Sequence, residues 1–171
     1  GPAWRAEGTL VGARVEDPAG PVAITGGAGV WTAAPVGDGV QLDLADASAR
    51  VADQSPAGAT PRFNPLSLTG VSATLLDGAV QATGEASLAA TGQTLGAFEA
   101  RHDLGAAAGS GRFTVNDLRF GDGLQPLQLT EFARGAIIRM DGAVSGTVDA
   151  AWTSDCLLYT SPSPRDENGY R

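Results

Sequence analysis

The chain has 171 residues, enough for one domain with a modest core or for several repeats of a longer protein. Its net charge of −8, with 11 basic residues that are all Arg and lie scattered, excludes the clustered positive charge on which nucleic-acid binding rests. The 43% hydrophobic fraction is dominated by Ala, beside 24 Gly and only five Phe, three Trp and two Tyr, which suits an extended sheet with a shallow apolar face better than a compact core.

The chain opens at Gly1 without an initiator Met, a signal peptide or a long apolar run; it reads as a fragment whose start is missing, so their absence says nothing about the parent's location. Strands are expected at Trp4 to Val11, at Val22 to Thr25 with Val30 to Thr32, and at Gly39 to Val51, with a loop from Asp17 to Pro21. In the third of these, Val40, Leu42 and Leu44 share a face, but the apolar set then passes to Ala45, Ala47, Ala49 and Val51. A bulge near Ala45 or Asp46 is expected there. The Pro-rich stretch from Pro56 to Pro65 reads as a loop, followed by a strand from Leu66 to Leu75.

Four Asp-Gly dipeptides, at Asp38-Gly39, Asp77-Gly78, Asp122-Gly123 and Asp141-Gly142, favour the type I′ turn that joins antiparallel strands. Two of them open the same tetrapeptide, Asp-Gly-Ala-Val, and each is followed by clean period-two alternation. After Asp77 and Gly78, one face carries Val80, Ala82, Gly84, Ala86 and Leu88, and the other Gln81, Thr83, Glu85 and Ser87. After Asp141 and Gly142, Val144, Gly146, Val148, Ala150 and Trp152 oppose Ser145, Thr147, Asp149, Ala151 and Thr153. Further strands are expected at Leu95 to His102 and Gly111 to Phe120. Helical spacing of Leu129, Phe132, Ala133, Ala136 and Ile137, with Thr130 as N-cap and Gly135 or Gly142 as the stop, predicts one or two turns.

Residues 156 to 166 break from this texture. They resemble the conceptual translation of a transposase-type sequencing adapter, and residues 156–171 are read as a non-native tail that packs against nothing. Domains are accordingly drawn at 1–65, 66–155 and 156–171.

The residues offer no catalytic set. His102 is the single histidine and reads as a strand-end side chain near solvent, with Asp103 on the opposite face. Gly26 to Gly29 lacks the Lys-Ser/Thr and the helix of a phosphate loop and reads as a turn. Asp43, Asp46 and Asp53 lack the repeat of calcium-binding β-rolls, and Cys156 has no Cys or His neighbour for a disulfide or a metal. No cofactor and no metal are expected. Trp4, Trp31 and Trp152 read as closing the edges of an apolar face and not as a stacking platform.

The stretch from Phe120 to Trp152, with Gly-Leu-Gln-Pro at 123 to 126 and Asp-Gly-Ala-Val-Ser-Gly at 141 to 146, resembles the YdbH-like intermembrane phospholipid transport proteins, relatives of AsmA and TamB. The hairpins from Leu66 onward are similar to those that precede this segment in such proteins; residues before Pro65 match weakly. The resemblance implies an all-β fold, a long, twisted, open antiparallel sheet of hairpins forming a U-shaped groove that spans the periplasm. It implies a parent anchored to the inner membrane of a Gram-negative bacterium, phospholipid acyl chains on the apolar face, and an outer-membrane lipoprotein partner at the parent's C-terminal end. Val80, Ala82, Ala86, Leu88, Val144 and Val148 are the lipid-facing candidates. A structural or adhesive β-solenoid of a secreted surface protein is the alternative. A solenoid needs a constant repeat of about 20 to 30 residues, whereas the two Asp-Gly-Ala-Val copies lie at 77 and 141.

Overall fold

A computed structural model describes residues 3–16, 22–137, 139–153 and 156–160, with the side chains of 156–160 left aside. The expected loop from Asp17 to Pro21 lies outside the described residues. The fold is all-β: one open, uncurled antiparallel sheet in which each strand pairs with the next in sequence. The strands are β1 (Ala6–Glu16), β2 (Val22–Val36), β3 (Gly39–Asp53), β4 (Leu66–Leu76), β5 (Ala79–Leu88), β6 (Thr94–Asp103), β7 (Ala108–Phe120), β8 (Gly142–Thr153) and β9 (Cys156–Thr160). Domain divisions at 65 and 155 do not interrupt the sheet, which runs without a break from β1 to β9. Because the sheet is uncurled, the expected U-shaped cross-section is not developed within these strands.

Register follows from a recurring device. Residues with positive φ sit at Gly12, Gly26, Asp46, Gly70 and Asp117. Each coincides with a register shift, between Leu10 and Ala13, Thr25 and Ala28, Leu44 and Ala47, Thr69 and Ser72, and Val115 and Leu118. One extra residue in the left-handed conformation turns the strand by one position, so apolar residues spaced three apart return to the same face. In β3, Leu44 and Ala47 thus face the same way. The expected bulge stands at Asp46, and the apparent change of face that suggested it is cancelled by it.

Turns separate the Asp-Gly dipeptides into two kinds. Asp77 and Gly78, with φ of 50° and 76°, form the two-residue type I′ loop between β4 and β5. Between β2 and β3 the tight loop is Gly37-Asp38, with φ of 60° at Gly37, while Gly39 already pairs with Val36. Glycine at the first loop position supplies the positive φ, which moves the turn one residue earlier than expected.

Asp141 and Gly142 form no hairpin. Gly142 is the first residue of β8 and pairs with Phe120, and the β7–β8 connection is the whole segment 121–141, which Asp122-Gly123 opens. The same dipeptide therefore starts a strand after a long excursion, because Phe120 and not a residue just before Asp141 is its partner.

That excursion holds the helical turns. A single turn, α1 (Pro126–Leu129), starts at a proline whose fixed φ suits the first helical position, three residues before the expected start at Leu129. Thr130 caps the 3-10 turn Glu131–Ala133 by accepting from the Phe132 N–H at 3.2 Å, and Gly135, with φ of 79°, ends the run.

The core is small and lies under this excursion. Leu88 and Leu124, each 2% exposed, and Leu118, 8% exposed, form one cluster with Leu66, Leu95, Val115, Phe120 and Leu129 packed around it. The Pro-rich loop 54–65 is fastened beside it. Arg62 bonds the Asp53 carboxylate through its side chain and, at 2.9 Å, through its backbone N–H, and Ser55 adds a hydroxyl.

The tail does pair. Cys156–Thr160 runs antiparallel to β8, from Thr153↔Cys156 to Asp149↔Thr160, which corrects the expectation that it packs against nothing. An edge strand with unsatisfied N–H and C=O groups accepts an extended neighbour whatever its origin.

Two expectations follow. Gly78→Val should destabilise the chain by roughly 1 to 3 kcal/mol, because a β-branched residue is strained at positive φ; urea unfolding followed by circular dichroism measures it. The Asp53 carboxyl is held down to about 2, chiefly by its hydrogen bond from the Arg62 side chain and then by Ser55. Its folded value lies below the unfolded one of about 3.9, so the stabilisation is full above that pH and is lost as pH falls toward 2. The stability difference between the parent chain and Asp53→Asn should accordingly be constant above about pH 5 and shrink toward zero near pH 2; acid titration of the urea midpoint checks it.

Candidate functional site

Cross-strand pairs share a face, so the register fixes which side chains the sheet gathers. One row reads Leu42, Leu75, Val80, His102, Gly109 and Trp152 from β3 to β8. The next reads Leu44, Ala73, Ala82, Ala100, Gly111 and Ala150. Beyond it lie Ala47 with Val71, then Gly84, Phe98, Phe113 and Val148. The candidates Val80, Ala82, Ala86, Leu88, Val144 and Val148 all stand on this face, since Val144 pairs with the core residue Leu118.

They do not stand in one environment. Val144 and Val148 are 38% and 44% exposed, whereas Ala86 and Leu88 are each 2% exposed. Leu88 lies in the core cluster with Leu124 above it, so its surface is already occupied by the chain itself. The open part of the face comprises the rows from Val80 to Val148, where no second layer of the described residues covers it.

Aromatic rings lie across glycines on this face. Gly8 faces Trp31, Gly84 faces Phe98 and Gly109 faces Trp152 as direct cross-strand partners, and Phe113 reaches diagonally over Gly96. A Cβ at Gly84 would come within 2.8 Å of the Phe98 ring, and one at Gly109 within 2.5 Å of the Trp152 indole. Each glycine leaves room for a ring to lie over its backbone, which shields that backbone from water where no opposing layer stands among the described residues. Spacing along single strands carries no trace of this; the signal was a glycine on one strand opposite an aromatic on the next, readable only once register is known.

Trp152 also donates from Nε1 to Nδ1 of His102 at 3.1 Å, with the two rings nearly parallel and their centroids 6.2 Å apart. His102 is thus a half-buried member of the apolar face at the end of β6, with Nδ1 accepting from the Trp152 indole. Trp31 and Trp152 share the face but stand on β2 and β8, six strand spacings or about 28 Å apart. They form no common platform, and Trp4 precedes β1 at 44% exposure.

The opposite face is polar. Ser72, Thr83, Glu99, Arg112 and Asp149 form one row and Thr74, Gln81, Arg101 and Ser110 the next, around a hollow of about 620 Å³. Arg112 Nε donates to Asp149 at 2.7 Å. Asp43 accepts from Gln41 at 2.8 Å and from Thr74 at 2.8 Å, and these bonds hold its carboxyl below the usual range. The three aspartates of β3 are engaged separately: Asp43 with Gln41 and Thr74, Asp53 with Arg62, and Asp46 in the bulge.

No helix among the described residues is long and apolar enough to cross a membrane. Comparisons with protein-family models, curated proteins and solved structures give no match.

The ring-over-glycine packing makes a sharp contrast. Gly109→Ala should cost roughly 1 to 3 kcal/mol, because the added methyl displaces the Trp152 ring. Gly146→Ala, on the same face with open space around it, should stay within about 0.5 kcal/mol of the parent chain. Urea unfolding read by tryptophan fluorescence checks both, and only the first should change the folded-state emission.

Proposed function

We propose that this chain is a segment of a passive lipid-shielding sheet, whose apolar face holds phospholipid acyl chains while headgroups and the polar face stay in water. The observation that carries this reading is the uncovered apolar face, with Val144 and Val148 exposed and flat aromatic rings between them and Leu42. A soluble sheet with one apolar face needs a cover, and hydrocarbon is a cover that imposes no side-chain geometry. Small residues such as Ala82, Ala100 and Ala150 leave the face shallow, which suits a ligand defined by length and not by shape.

The resemblance of the Phe120 to Trp152 region to YdbH-like proteins supports the same reading. On it, the parent spans the periplasm from an inner-membrane anchor and meets an outer-membrane lipoprotein at its C-terminal end. No turnover chemistry is called for. Topology also favours this over a β-solenoid: every neighbouring pair is antiparallel, whereas stacked coils place equivalent strands parallel, one repeat apart.

Photoreactive residues at Val80 or Val148 should label phospholipid in Gram-negative cells several-fold more than residues at Thr83 or Thr147 on the other face. Val80→Asp should reduce lipid occupancy strongly, since an unpaired carboxylate against hydrocarbon costs several kcal/mol. Equal labelling from both faces would leave a sheet covered by protein as the better account.

A further inference from the structure

The excursion 121–137 does more than connect β7 to β8. It crosses one end of the apolar face as a strap, with Leu124 and Leu129 turned onto the sheet over Leu88 and Leu118. Polar bonds fasten it from outside the face. Asn64 donates its backbone N–H to the Leu129 carbonyl and its side-chain amide to the Gln128 carbonyl, both at 2.8 Å. Thr130 Oγ1 donates to the Arg62 carbonyl at 2.6 Å, and Gln125 exchanges two hydrogen bonds with the Met140 backbone at 2.9 and 2.8 Å. The strap is therefore held by the loop 54–65 on one side and by its own return on the other.

On the strength of the proposed function, we infer that this strap is the end stop of the lipid track: Leu124 occupies the place that hydrocarbon would otherwise take over Leu88. From Val80 to Ala86, which is 2% exposed beside the covered Leu88, β5 advances six residues, about 20 Å. One leaflet of hydrocarbon, half of a core of roughly 30 Å, is about 15 Å deep. An acyl chain laid along β5 fits between the hairpin turn at Asp77 and the strap, where Leu124 takes up the surface of Leu88.

The test uses the full chain and a phospholipid carrying a photoreactive diazirine near the end of one acyl chain, with adducts mapped residue by residue by mass spectrometry. The parent chain should show adducts at Val80, Ala82 or Val148 and none above background at Leu88 or Leu118. Leu124→Ala should add adducts at Leu88. Asn64→Ala, which loosens the fastening without touching the core, should do the same to a smaller extent and covers the case in which Leu124→Ala fails to fold. Adducts at Leu88 in the parent chain as strong as those at Val80, an unchanged map in a folded Leu124→Ala variant, or, where that variant does not fold, an unchanged map in a folded Asn64→Ala variant, would overturn the stop while leaving the lipid track standing. Adducts absent from Val80, Ala82 and Val148 would overturn the track and the stop together.

Discussion

A β-strand has two faces, and a single slip of one residue exchanges them. Everything distinctive about this sheet depends on keeping one face apolar across strands of 10 to 15 residues. Over such lengths sheet twist and uneven spacing would carry apolar residues to the wrong side. The left-handed residues at Gly12, Gly26, Asp46, Gly70 and Asp117 correct this, each at the point where apolar positions are three and not two apart. Glycine adopts that conformation without a Cβ clash, and aspartate is among the few other residues that visit it at modest cost. The apolar face is thus a property of the bulges as much as of the side chains.

With one face apolar and no second layer among the described residues, the sheet lacks the usual means of drying its interior. Two substitutes appear. Rings laid over glycines, Trp31 on Gly8, Phe98 on Gly84 and Trp152 on Gly109, cover the backbone locally and spread apolar surface flat. The strap supplies a true core at one end only, where burial of Leu88, Leu118 and Leu124 contributes about 1.5 to 3 kcal/mol for each side chain. Stability is concentrated under the strap, and the remainder of the face is left open, so the same division that anchors the fold also marks out where a ligand could lie.

How much of this could be read beforehand depended on whether a strand carried a bulge. β5, and β8 after its first residue Gly142, have no left-handed residue, and their alternation put Val80, Ala82, Val144 and Val148 on one face. In β3 and β7 the bulge breaks the period, so Leu118 and Val51 could not be assigned by counting alone. Asp77-Gly78 was legible as a turn because its neighbours in sequence are also its partners in space. Asp141-Gly142 has the same local preference, but its partner is Phe120, and nothing within a few residues says so. The burial of Leu88 was likewise invisible, since its cover comes from Leu124, and the fastening of that cover joins Asn64 to Gln128 across 64 positions.

The two edges of the sheet are treated differently, and the difference explains the last strand. β1 has Arg5, just before it, beside Glu7, Arg14 beside Glu16 at its end and a bulge at Gly12 between them. Charges and bulges on an edge oppose the addition of another strand. β8 has only Asp149 among its charged residues, and that carboxylate is already paired with Arg112 on the inner side. Its remaining positions are Ala, Gly, Val, Ser, Thr and Trp, which set no barrier to a neighbour. A segment whose sequence resembles a translated adapter pairs with it all the same, over Asp149 to Thr153. Pairing of this kind draws on the backbone of β8 and asks of the incoming segment only that it be extended.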